Sequence, residues 1–221
     1  MNSTGLLRDL VTMVHEGGHA VHAVLSHNLE FSEFKNCPSE VAELASMSME
    51  LISMEHWDTY FADANELKRA KLEHLQSLIE ILPWIATIDK FQHWVYTHPE
   101  HTVEEREQSW LTIYTEFAST AIDWSGFENI KSAIWQKQLH LFEVPFYYIE
   151  YGMAQLGAIA LWKNYKENPQ RAISQYKDAL RLGYTKSIHE IYLTAGVKFD
   201  FSKEYIHKLA AFVQQEIEAF A

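Results

Sequence analysis

With one cysteine in 221 residues, Cys37 has no partner within the chain, so no internal disulfide braces this fold. That usage fits a reducing compartment such as the cytoplasm. Glycine (8 residues) and proline (5 residues) are scarce, and strand-like alternation is nearly absent. A sandwich or barrel is thereby disfavoured, and the chain reads as mainly α. Basic residues are also few: 18 Lys and Arg stand against 30 Asp and Glu, a net charge of −12. Neither nucleic acid nor an anionic membrane suits that balance as a main partner. Long apolar runs are missing as well. The richest stretch, Ile79–Ile88, is interrupted by Glu80 and Pro83 and closed by Asp89, so neither a membrane span nor a signal peptide is expected. What remains is a globular composition, 48% hydrophobic, long enough for one or two domains with a sizeable core. It is read here as one compact helical domain over 1–221, a multi-helix bundle with little or no sheet.

Periodicity and punctuation divide the chain into helices over Leu6–His27, Pro38–His56, Trp57–Tyr96, Thr102–Thr120, Phe127–Leu141, Pro145–Lys166, Pro169–Leu182, Ser187–Ala195 and Ser202–Phe220. The third reads as one or two long helices, with Pro83 a kink or break. Thr102 followed three residues later by Glu105 is a capping box, and Gly183 ends the helix before it. Phe31–Phe34 is the one stretch with a weak strand signal.

The first predicted helix contains His15-Glu16-Gly17-Gly18-His19, which fits His-Glu-x-x-His. Two histidines four apart lie above one another on one helical face, so both imidazoles can reach one cation. Zinc suits imidazole nitrogen, and a hydrolytic zinc leaves one position open for water. Glu16 is then placed to take a proton from that water. The apolar flanks Leu6, Leu7, Leu10, Val11 and Val14 before the motif, and Val21, Val24 and Leu25 after it, recur at helical spacing and predict a buried face for the motif. Gly17 and Gly18 stand mid-helix, where each costs roughly 1 kcal/mol relative to alanine. A close backbone approach explains that tolerance, whether by substrate or by a neighbouring helix.

Two imidazoles leave such a zinc one ligand short, and a carboxylate commonly completes the set. The segment from Pro38 to Leu51 is a second amphipathic helix carrying Glu40, Glu43 and Glu50. Glu43 and Glu50 are seven apart and share a face, and Glu40 can share it too, so spacing leaves the choice among them open. A second cluster, Phe142 to Gln155, holds Tyr147, Tyr148 and Tyr151. Their hydroxyls can donate to a developing oxyanion, or simply pack as an aromatic core. The remaining histidines, His74 among them, show no ligand spacing.

The run His15-Glu16-Gly17-Gly18-His19-Ala20-Val21-His22, followed by Ser39-Glu40-Val41-Ala42-Glu43-Leu44-Ala45-Ser46, resembles the oligoendopeptidase F branch of the thimet oligopeptidase family of zinc metallopeptidases. The likeness extends along essentially the whole chain. It implies a zincin-like helical catalytic domain, one Zn²⁺ ion, and Glu43 as the third ligand beside His15 and His19. It implies an outer role for Glu50, matches His22 to a further histidine of the family, and matches His140, Tyr148 and Tyr151 to substrate-facing groups, with Tyr147 in reserve. The implied activity is hydrolysis of internal bonds in short oligopeptides, with Glu16 as general base and His140 and a tyrosine at the oxyanion. Only the C-terminal catalytic portion of the family is represented. The expectation is therefore weak or absent turnover by this chain alone, and self-association through surface that an N-terminal portion normally covers. The alternative is a non-enzymatic helical interaction module that retains a zinc site.

Overall fold

A computed structural model describes residues 2–220. About 75% of the protein is helical and no strand occurs among the described residues. No helix among them is long and apolar enough to cross a membrane. The elements in chain order are α1 (Leu7–Ser26), α2 (Ser39–Ser53), α3 (Ala64–Thr97), α4 (Val103–Phe117), α5 (Glu128–Ala133), α6 (His140–Glu143), α7 (Tyr148–Glu167), α8 (Pro169–Arg181), α9 (Ile188–Thr194) and α10 (Lys203–Glu218). Short 3₁₀ turns lie at Ser32–Lys35, Met54–Thr59 and Ile134–Lys137.

The caps follow the local chemistry. Asp9 sits in the first turn of α1 and accepts from the backbone N–H groups of Thr4 (2.6 Å), Gly5 (2.7 Å) and Leu6 (3.1 Å), which ties down the segment entering the helix. At α4 the capping box forms as its sequence requires: Glu105 N–H donates to Thr102 Oγ1 at 3.2 Å, and Thr102 N–H donates to Glu105 Oε2 at 2.8 Å. Gly183 ends α8 with φ +51°, a conformation that glycine adopts without Cβ strain.

Three expectations are revised. Phe31–Phe34 forms no strand: Ser32–Lys35 is a 3₁₀ turn. There the Phe34 carbonyl accepts from Tyr184 N–H at 2.7 Å, a single bond rather than a ladder. Pro83 does not break its helix, because α3 runs from Ala64 to Thr97 with the proline inside it. Ile85, Ile88 and Phe91, just beyond Pro83, are buried, so packing of that face outweighs the backbone hydrogen bond that the proline forfeits. The Phe127–Leu141 segment is also shorter-stepped than a single helix, resolving into α5, a 3₁₀ turn and the start of α6.

The chain divides into two compact units, one comprising residues up to Ser77 together with those from Met153 onward, the other Leu78–Gly152. In the first unit Val41, Leu44, Ala45, Leu51, Trp57, Leu161, Trp162 and Tyr176 are buried. Two tyrosine hydroxyls pin α2 from below: Tyr176 donates to the Ala45 carbonyl at 2.7 Å and Tyr192 to the Glu40 carbonyl at 2.9 Å. Burial raises the pKa of both phenols, so both remain donors. In the second unit an aromatic core of Phe91, Trp110, Tyr114 and Trp135 closes around Ile88 and Ile113, and the Trp110 indole donates to the Lys131 carbonyl at 2.8 Å.

Candidate metal centre

α1 and α2 lie against each other in the first unit, and at Gly18 the backbone of α1 approaches that of α2. A Cβ at Gly18 would stand 2.5 Å from Ser46 Cα and 2.8 Å from the Ala45 carbonyl oxygen. The missing side chain therefore lets two backbones touch. Gly17 differs: a Cβ there meets nothing within 4 Å. Of the two glycines, only Gly18 is explained by helix packing.

That close approach sets the face carrying His15 and His19 opposite the face carrying Glu43 and Glu50. His15 Nε2 lies 3.4 Å from Glu43 Oε2, and His19 Nε2 lies 3.9 Å from Glu43 Oε1. The two imidazoles meet edge to face with centroids 4.9 Å apart. One donor atom from each of His15, His19 and Glu43 falls within 4.8 Å of the others, and among the described residues this is the one such group. Two neutral imidazoles and one carboxylate are the donor set of a hydrolytic zinc, so these residues fit that ion. Exposure grades across the set: the side chains are 33% exposed at His19, 24% at His15 and 12% at Glu43, leaving the His19 side most open to solvent.

Neighbouring groups orient these three candidate side chains. The other ring nitrogen of His15, Nδ1, lies 2.6 Å from Glu50 Oε1. In the neutral ring Nδ1–H then donates to Glu50, which leaves the Nε2 lone pair facing Glu43 and any cation between. Burial works against the charged form of His15, but the bond to Glu50 and the charges of Glu50, Glu43 and Glu16 outweigh it and raise its pKa. On the far side of Glu50, His74 Nε2 lies 3.6 Å from Oε2, longer than a hydrogen bond. The His74 ring is buried beside Trp57, with centroids 5.3 Å apart. Burial lowers its pKa despite the Glu50 charge. Ser46 Oγ stands 3.2 Å from Glu43 Oε2 and can donate to it.

The sequence candidates sort as follows. Glu43 and Glu50 both face α1, and Glu40 is outside the ligand group. Glu16 is exposed, one residue beyond His15. His22 is buried and sits beside Cys37, with Nε2 3.4 Å from Sγ, rather than in the ligand group. Burial lowers the pKa of His22, with the nearby His19 adding to it, and pushes the Cys37 thiol up to about 11, so the thiol stays protonated and can donate to the ring. In the second unit His140 is ringed by all three tyrosines, with centroids 4.9 Å from Tyr148, 5.6 Å from Tyr151 and 6.1 Å from Tyr147. Burial raises the pKa of the Tyr148 phenol, partly offset by the Trp84 indole. The sequence reading sets His74 aside, includes Ser46 only within the family-like run, and passes over Gln138, which touches His140. His74 has no ligand-like spacing to any other histidine, and serine and glutamine carry no periodic signal.

The family model of peptidase family M3 matches residues 1–211. An oligoendopeptidase F homologue of Borreliella burgdorferi is 24% identical over 185 residues, covering 81% of this chain and 30% of the relative. Among solved structures, Pz peptidase A with an inhibitor superposes with a TM-score of 0.90 at 29% identity, over 99% of this chain and 38% of that one. The fold of oligoendopeptidase F from Enterococcus faecium is also shared, with a TM-score of 0.72 at 22% identity over 97% of this chain and 39% of that one. The chain thus spans less than two fifths of the length of each of these relatives.

Proposed function

The chain belongs to peptidase family M3, and from that premise we propose that it carries the metal site and catalytic base of a zinc-dependent endopeptidase acting on short oligopeptides. The observation behind this is the convergence of His15, His19 and Glu43 from two helices held in contact at Gly18. A zinc ion held there would supply a Lewis acid, polarising a scissile carbonyl and lowering the pKa of water toward neutrality. The rest falls to the chain. Glu16, next to His15 and open to solvent, accepts the proton of the attacking water and passes it to the departing amine. Glu50 holds the His15 ring with Nε2 toward the ion, and Ser46 steadies Glu43. His140, Tyr148 and Tyr151 serve as hydrogen-bond donors to peptide oxygens. The reading also places the protein in the cytoplasm, where Cys37 stays reduced.

The test combines metal stoichiometry with product analysis. Chelator-treated protein is titrated with Zn²⁺ and offered a quenched fluorescent oligopeptide of bradykinin size. One ion per chain and cleavage at an internal bond, abolished by chelator, is the expected result. Zinc bound without any cleavage, even with the protein in excess over peptide, would favour a helical module that keeps a zinc site, or a catalytic portion that cleaves only with more of the family's chain. Failure to bind zinc would sink both.

Glu50 gives an independent check on the outer contacts. Glu50→Leu removes the acceptor for His15 Nδ1–H while keeping an apolar side chain of similar length. Zinc affinity, measured by competition with a chromophoric chelator, is expected to fall about 10- to 100-fold. An unchanged affinity would show that the 2.6 Å contact to His15 does not orient the ligand.

A further inference from the structure

We propose that Gln138 is a positioning residue that fixes His140 in the Nε2–H form, so that this ring presents an N–H, and not a lone pair, at Nε2. The inference rests on the reading of His140 as a substrate-facing donor for its purpose, but not for its chemistry.

Donor and acceptor roles around Gln138 fix the tautomer. An indole N–H can only donate. Trp84 Nε1 lies 3.0 Å from Gln138 Oε1, so the amide of Gln138 must turn its carbonyl toward Trp84. Its NH₂ group then faces the other way. Gln138 Nε2 lies 2.6 Å from His140 Nδ1. An NH₂ group offers only hydrogens, so Nδ1 must accept, and a ring nitrogen that accepts carries no proton. The proton of the neutral ring is therefore on Nε2. The opposite amide orientation would set N–H against N–H at Trp84.

The surroundings hold this relay in place. Lys137 Nζ lies 4.5 Å from the centroid of the Trp84 ring, a cation–π contact on the anchoring indole. Trp84 also packs edge to face on the buried Trp110, with centroids 5.8 Å apart. The Tyr148 phenol is a second neighbour of both the indole and the His140 ring. His140 thus enters its ring of tyrosines with one nitrogen committed to Gln138 and the other left as a donor. A neutral N–H at Nε2 suits a ring that must stabilise negative charge on a peptide oxygen, whereas a bare Nε2 would repel it.

The experiment reads the ring directly. Protein labelled with ring-¹⁵N histidine is examined by long-range ¹H–¹⁵N correlation at mildly alkaline pH, with the His140 signals assigned by their loss in His140→Asn. In the wild-type protein the expected pattern is an unprotonated Nδ1 and a protonated Nε2. Gln138→Glu replaces the NH₂ donor with an acceptor, and the proton is expected to appear on Nδ1. Gln138→Leu removes the lock, and a mixture of the two neutral forms is expected. A wild-type ring with its proton on Nδ1 would overturn the proposal without any variant. So would a pattern left unchanged in both variants. Peptide turnover is not part of the readout. A wild-type chain that shows the Nε2–H pattern but cleaves nothing would leave the tautomer assignment standing while removing the peptidase reading.

Discussion

Glu16→Gln is expected to bind zinc at the wild-type stoichiometry and to cleave peptide about 10² to 10⁴-fold more slowly. The substitution keeps shape and hydrogen-bonding reach but removes the ability to accept a proton. Glu16 lies outside the ligand group, so the ion's own coordination is untouched. It is also exposed, so the change opens no cavity and leaves no buried polar atom without a partner. A loss confined to turnover therefore isolates base chemistry from metal binding and from stability. The measurement pairs a zinc titration with single-turnover cleavage of a quenched fluorescent peptide, protein in excess, so that a slow wild-type rate is still resolved. Turnover by Glu16→Gln equal to wild type would remove Glu16 from the mechanism. Lost zinc along with lost turnover would show that Glu16 supports the ion rather than the water.

How much of this was legible in the sequence depends on the range of each interaction. The His15–His19 pair was legible because both residues lie on one helix, where a spacing of four fixes their relation. The third candidate ligand was not. Glu40, Glu43 and Glu50 are equivalent by periodicity, and only the register of α2 against α1 separates them. That register is set by a backbone contact at Gly18, which no pattern of side chains encodes. The family likeness, not the spacing, singled out Glu43. His74 shows the same limit more sharply. It comes 24 residues after Glu50, and only tertiary packing brings it to 3.6 Å from that carboxylate. At Pro83 the local rule allows a kink or a break, and tertiary packing decides between one helix and two: Ile85, Ile88 and Phe91 are buried just beyond it and α3 runs on unbroken.

The paired substitutions Gly17→Ala and Gly18→Ala should part company by several kcal/mol, although propensity treats them alike. Each gains roughly 0.5–1 kcal/mol from replacing a mid-helix glycine. At Gly17 nothing opposes that gain, because the added methyl meets open space. At Gly18 the methyl would lie 2.5 Å from Ser46 Cα, 2.8 Å from Ala45 O and 3.0 Å from Ser46 N. All three atoms are backbone, so no rotamer change relieves the contact and one helix must move. Overpacking of buried sites costs typically 1–3 kcal/mol, and a clash against fixed backbone belongs at or above about 3 kcal/mol. Moving α2 is resisted by the buried Tyr176 hydroxyl, which holds the Ala45 carbonyl at 2.7 Å. The displacement also falls on the site. Gly18 lies between His15 and His19, and Ser46 lies three residues from Glu43, so parting the helices draws both imidazoles away from the carboxylate. Denaturant unfolding is expected to show Gly17→Ala as stable as wild type or more so, with undiminished zinc affinity. Gly18→Ala is expected to lose stability and zinc affinity together. Equal stability of the two variants would mean that the α1–α2 contact is not closed at this point, and with it would go the geometric case that His15, His19 and Glu43 share an ion.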